Sequence, residues 1–175
     1  MNSRIALSVL VSLLAATTGH SADTAKAKQL MTLMRADEVV AGAMKTGLRN
    51  NRTGISLTDA QVACLNAVPH SQFPDVVTKA LAEGLTNEEV MAAITFYRTP
   101  AGARYAKSIV AITQATRLDV PLTDAEAASV REFAATPAGD KLLKKALIPN
   151  SNVVADKMAQ VSGDAIENCG KAPPK

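Results

Sequence analysis

"LTNEEVMAAITFYRTPAGARYAKSI", Leu85 to Ile109, decides the fold class, because it shows how this chain starts, stops and restarts a helix. Thr86 stands three residues before Glu89, the spacing of a capping box. In that motif the hydroxyl accepts the third helical N–H and the carboxylate returns to the N–H of the cap. Leu85, just outside the cap, is placed to staple onto Val90. Pro100 disfavours α geometry at Thr99, so the first helix stops by Arg98 or Thr99. Thr99 then caps a second helix with Pro100 in its first position, where a missing N–H costs nothing. Gly102 leaves room for a helix to approach that turn, and Phe96 fills the angle one turn earlier. The segment reads helix, corner, helix.

The pattern returns, without a gap, as "LTDAEAASVREFAATPAGDKLLKKA", Leu122 to Ala146. Nine of 25 positions are identical at an offset of 37 residues, including Phe96/Phe133, Thr99/Thr136, Pro100/Pro137 and Gly102/Gly139. Every residue kept has a structural task, so the repeated element is a corner and not a catalytic loop. Two copies are too few for a solenoid. The expectation is an all-α, compact bundle of helical hairpins with an internal repeat over 85–109 and 122–146. What differs between the copies is the candidate partner surface: Tyr97 and Arg98 become alanines, and Arg104 and Tyr105 become Lys141 and Leu142. Tyr and Arg are enriched at binding hot spots.

The remainder supports the same class. Nothing alternates with period two over a useful length, and prolines are confined to joints. A helix is expected from about Asp23 to Met34, presenting Leu30, Leu33 and Met34. A second follows with Asp37 as its cap and Val40, Ala41, Met44 and Leu48 on one stripe. Asn50 to Gly54 reads as a loop. Thr58/Gln61 and Thr123/Glu126 are further capping boxes. Pro74 opens a helix through Leu81 that Gly84 closes. Ser151 caps a last helix with Val154, Met158, Val161, Ala165 and Cys169 on one face.

The first 21 residues have the form of a secretory signal peptide: one early positive charge, the apolar run Ile5 to Ala16, then small and polar residues. Cleavage fits after Ser21 or after Ala22, and the run is shorter than the ~20 apolar residues of a membrane span. A single all-helical domain over 22–170 and a disordered tail over 171–175 complete the expected organisation. Without Arg4, the 19 Lys and Arg become 18 against 16 Asp and Glu, a net charge near +2. That balance, with few aromatic residues among the scattered cations, argues against nucleic acid. The "KLLKK" run of Lys141, Lys144 and Lys145 reads as a solvated helix face. Two cysteines, Cys64 and Cys169, in an exported chain are expected to form a disulfide. Neither C-x-x-C spacing nor a third ligand cluster supports a redox or metal role.

The signal peptide, "LTNEEVMAAITFYRTPAGARYAKSI" and the all-helical remainder together resemble a bacterial domain-of-unknown-function family. Its hallmark is a helix ending in F-Y-x-[S/T]-P-x-G, matched over Leu85 to Ile109. The resemblance implies a small exported helical protein with no established enzyme activity. The second copy departs from the hallmark at Ala134 and Ala135. Size, export, helical content and paired cysteines are similar, at class level only, to periplasmic immunity proteins that neutralise wall-cutting effectors of type VI secretion.

Catalytic chemistry lacks its parts in the sequence. His70, in "VPHSQFP", is the single histidine of the mature chain, and it reads as a loop or cap residue. Glu88, Glu89, Asp124 and Glu126 are helix-start acids that suit the local dipole and do not pair as a hydrolase requires. No metal ligand set and no cofactor motif is present. The expectation is a non-enzymatic periplasmic protein without a cofactor, metal or stable membrane anchor. It binds a periplasmic protein, with a secreted effector as one such partner, and self-association into a homodimer stays open. The alternative is an envelope helper or a carrier of small apolar ligands, with Met31, Met34 and Met44 lining a cavity between helices.

Overall fold

Asp23 opens the first helix: its carboxylate accepts the N–H groups of Ala25 and Lys26 at 2.7 and 3.2 Å. The structure, a computed structural model, describes residues 21–50, 58–116 and 121–170. Most of the stretch expected to be a signal peptide, most of the expected Asn50 to Gly54 loop and the expected tail over 171–175 lie outside them. Every described element is helical: α1 (Thr24–Met34), α2 (Ala36–Arg49), α3 (Asp59–Asn66), a 3-10 turn (His70–Gln72), α4 (Pro74–Gly84) and α5 (Asn87–Tyr97). They are followed by α6 (Pro100–Thr113), α7 (Asp124–Ala134), the single turn α8 (Pro137–Gly139), a π turn (Asp140–Lys144) and α9 (Asn152–Gly170).

All three capping boxes form, at Thr58/Gln61, Thr86/Glu89 and Thr123/Glu126. α1 packs against α4 and α5, α2 against α6, and α9 against α2, α3 and α4. The core between them holds Leu30, Phe73, Val77, Leu81, Val90, Ile94, Val154 and Val161, all fully buried. The expected stripe of α2 is buried as read, and on α9 Val154, Val161, Ala165 and Cys169 are buried with Met158 packed beside them. Cys64 and Cys169 are joined, with Cα atoms 5.7 Å apart, which ties the end of α9 to α3.

The two corners share one geometry. Thr99 Oγ1 donates to the Phe96 carbonyl at 2.7 Å and accepts Gly102 N–H at 3.1 Å. Thr136 does the same with Phe133 and Gly139, at the same two distances. A Cβ on Gly102 or Gly139 would collide with the carbonyl oxygen of Phe96 or Phe133. The close neighbour that demands glycine is therefore the end of the preceding helix, and not a separate helix.

The corners also pack on each other. The rings of Phe96 and Phe133 stack at 4.1 Å, 5° from parallel, and the ring of Tyr97 stands edge-on to both. Arg104 Nε lies 3.2 Å from Glu126 Oε1, and Lys141 Nζ lies 2.7 Å from Glu89 Oε2. Positions 104 and 141 correspond across the offset, as do 89 and 126. The cation that follows each corner thus meets the capping glutamate that precedes the other.

Several local expectations change. Asp37 is not the cap of α2. The chain passes from α1 to α2 through Arg35 in the left-handed region, φ 53°, and a bidentate Arg35–Glu38 pair holds the junction. On α1 the buried face is Ala27, Leu30 and Met31, with Leu33 and Met34 only partly covered. α4 runs on to Gly84, where the Leu147 side chain packs into the space a Cβ would take and would have to shift for any larger residue. After the second corner there is no counterpart of α6. Lys145 N–H reaches the carbonyl of Asp140, five residues back, and Ala146 adopts φ 50°. Lys144 and Lys145 both face the Asp140 carboxylate, at 3.8 and 2.9 Å, and stay exposed, whereas Lys141 of the same "KLLKK" run reaches Glu89.

Candidate functional site

The stripes on α2, α6 and α9 do not close completely on one another. Ala36, Val39, Val40 and Ala43 follow helical spacing on α2, as do Tyr105, Ile109 and Ile112 on α6. With Val154 and Met158 of α9 and the segment from Leu142 to Pro149, they surround a cavity of about 480 Å³. The π turn and the left-handed Ala146 fold that last segment tightly, which places Leu142, Ile148 and Pro149 along one wall. Ile112 is 70% exposed and lines the same space, so the cavity reaches the surface beside it.

None of the described residues lining the cavity is charged. Its polar groups are Thr113, Tyr97 and Tyr105. The Thr113 hydroxyl donates to the Val110 carbonyl at 2.9 Å. The two phenols have no hydrogen-bond partner among the described residues. Tyr97 is 3% exposed, yet no fully buried side-chain oxygen or nitrogen among the described residues lacks a partner. Its hydroxyl must therefore keep contact with open space, and the cavity supplies it. Burial raises the pKa of both phenols, and the neighbouring Tyr105 raises that of Tyr97 further. Both hydroxyls are thus held in the neutral, hydrogen-donating form.

The proposed partner-binding residues separate in the structure. Tyr97 is in the core against Phe96 and Phe133, so its ring cannot meet a protein partner. Tyr105 is half-buried at the cavity. Arg104 is paired with Glu126, as Lys141 is with Glu89, so the difference between the copies at that position keeps the same function. Arg98 alone of the four is exposed. Of the methionines expected at a cavity, Met34 lines it with Met158, whereas Met31 and Met44 are buried in the core.

A second depression, of about 420 Å³, is lined by polar and apolar residues alike and lies where α2 meets the connection from α3 to α4. His70 Nδ1 is 2.6 Å from Asp37 Oδ2, a contact the sequence reading missed because it assigned Asp37 to a cap. Lys45, beside them, donates to the Asn66 carbonyl at 2.8 Å, and burial lowers its pKa. The threonines of this cleft are committed: Thr46 donates to the Thr113 carbonyl and Thr116 to that of Ala111. The His70–Asp37 pair clamps the 3-10 turn onto α2.

Fold and cavity together define an all-helical protein with an uncharged, tyrosine-bearing pocket between its helices. Residues 71–120 match a family described as an uncharacterized protein conserved in bacteria (DUF2059). The matched stretch of 50 residues contains α4, α5, the first corner and α6, and so includes Tyr97, Tyr105 and Ile112. No curated protein and no solved structure matches the chain.

Proposed function

We propose that this protein is a non-enzymatic binding protein whose ligand is a small, largely apolar molecule held in the cavity between α2, α6 and α9. One observation carries the reading: an apolar space of about 480 Å³ with two unpartnered hydroxyls on its wall. Small-molecule sites typically occupy about 300–1,000 Å³, are mainly apolar, and carry a few convergent polar groups. An apolar cavity of about 150 Å³ accommodates one benzene, so this one takes a molecule roughly three times as bulky. Occlusion of a protein partner, including a wall-cutting effector, has weaker support. Its surface was to be built from four residues, of which one is in the core, one at the cavity and one in an ion pair.

Export belongs to the same proposal. Ala22 is buried, and its backbone nitrogen lies 2.9 and 3.1 Å from the carbonyls of Ala82 and Leu85, at the C-terminal end of α4. Cleavage after Ser21 would turn that nitrogen into an α-ammonium with enough donors for both carbonyls, at the end of a helix that favours a positive charge. No described helix is long and apolar enough to cross a membrane.

The chain has two tyrosines, both at the cavity, and no tryptophan, so its intrinsic fluorescence reports the site directly. Titration with a medium-chain alcohol such as decanol is expected to change that fluorescence saturably at one equivalent. An unchanged signal, with unchanged thermal stability, would refute the cavity reading.

A further inference from the structure

The arrangement of polar groups around the cavity narrows the ligand class. Tyr97 and Tyr105 are the polar side chains there with hydroxyls uncommitted among the described residues, and a phenol offers an O–H donor. No described cation lines the space to compensate a buried negative charge, and an uncompensated charge in apolar surroundings is strongly unfavourable. An uncharged acceptor such as an ester, amide or ketone oxygen meets a donor at no such cost. A pure hydrocarbon would leave the Tyr97 hydroxyl covered and unpaired, which is unfavourable for a buried donor.

Resting on the cavity reading above, we propose that the ligand is a neutral amphiphile. Its carbonyl-type oxygen accepts from the hydroxyls of Tyr97 and Tyr105, and its hydrocarbon part lies along Val39, Ile109, Leu142 and Met158. The raised pKa of both phenols agrees with this, since it keeps the two donors protonated across the physiological range. The wall is thus selective: it admits apolar molecules, prefers those with one uncharged acceptor, and disfavours carboxylates.

Calorimetric titration of the full mature chain with decane, methyl decanoate and decanoate tests this. Methyl decanoate should bind tightest, and decanoate should weaken as it ionises, binding better as pH falls through the carboxylate range. Tyr97→Phe and Tyr105→Phe should each weaken methyl decanoate about 2- to 10-fold, the worth of one hydrogen bond, and should not weaken decane, which gains where the deleted hydroxyl would have been covered and unpaired. Tyr105→Phe, at a half-buried position, keeps the test usable if Tyr97→Phe disturbs the core. Equal affinity of ester and alkane, indifference to both substitutions, or tighter binding of ionised decanoate overturns the proposal while leaving the cavity reading intact. Failure of all three probes to bind overturns the cavity reading itself.

Discussion

Reduction of the Cys64–Cys169 bond is the perturbation whose size can be worked most directly from the structure. The bond closes a loop with a sequence separation of 105 residues. For that length the loss of unfolded-chain entropy amounts to about 4.7 kcal/mol at 25 °C. At roughly 2–4 °C per kcal/mol for a chain of this size, melting should fall by about 10–20 °C. The loss should be uneven. α3 has eight residues and buries only Leu65, and it packs chiefly on α9, so without the bond little holds it down. α9 has Val154, Val161 and Ala165 in the core and should stay docked. Circular-dichroism melts of residues 22–175 with and without reductant, and of the Cys64→Ser/Cys169→Ser double variant, measure the global term. Hydrogen exchange locates the local one, with amides of α3 losing protection first. Melting within about 3 °C of the oxidised protein would refute the loop argument, and loss of protection in α1 or α5 before α3 would refute the local one.

Other outcomes follow from the corner and the site. Gly102→Ala places a Cβ against the Phe96 carbonyl and the Tyr97 Cα, so backbone must move; a loss of about 1–3 kcal/mol in urea unfolding is expected, against little change for Gly47→Ala, which has open space. Phe133→Ala removes the stacked partner of Phe96 and should cost about 3–5 kcal/mol. The two phenols have pKa values raised on folding, so their contribution is complete below their unfolded value of about 10 and is lost as pH climbs through the folded values. Phenolate absorbance, which reports only these two tyrosines, should therefore appear above pH ~10, Tyr97 later than Tyr105, and move higher still with methyl decanoate bound. If the proposed export occurs, N-terminal sequencing of the processed protein should begin Ala22-Asp23; a start at Asp23 would contradict the proposal that Ala22, docked on α4, is the first residue after cleavage.

Much of the fold was legible because it is written in local rules. Thr86, Thr99, Thr123 and Thr136 act within three residues of themselves, so caps and corners could be read from spacing alone. What the corners touch was not legible. The Phe96–Phe133 stack and the exchanged Arg104–Glu126 and Lys141–Glu89 pairs join residues 22 or more positions apart, and nothing local announces them. Tyr97 shows the resulting error. Its absence from the second copy marked it as optional to the corner, whereas it packs edge-on to both phenylalanines of the joined corners. Asp37 shows another: a carboxylate near a helix start fits a cap by rule, but Arg35 takes the junction by turning left-handed and frees Asp37 for His70.

The cavity was the least legible feature. Val39, Ile109 and Met158 repeat at helical spacing just as core residues do, and periodicity cannot tell a filled interface from one left open. The opening depends on the π turn and on Ala146 at φ 50°, where the second copy stops following the first. A clue was nonetheless present: both tyrosines of the chain fall in the first copy, eight residues apart, on elements that meet at the corner.

The most direct measurement is calorimetric titration of methyl decanoate into residues 22–175 of the protein and into its Ala43→Trp variant. Ala43 is an exposed residue of the cavity wall, where an indole can occupy the space without crowding the core. The wild type should bind one equivalent with a negative heat-capacity change, and the variant should bind at least about 10-fold more weakly at unchanged thermal stability. Binding of equal strength in the two proteins, or no binding to the wild type, would contradict the account.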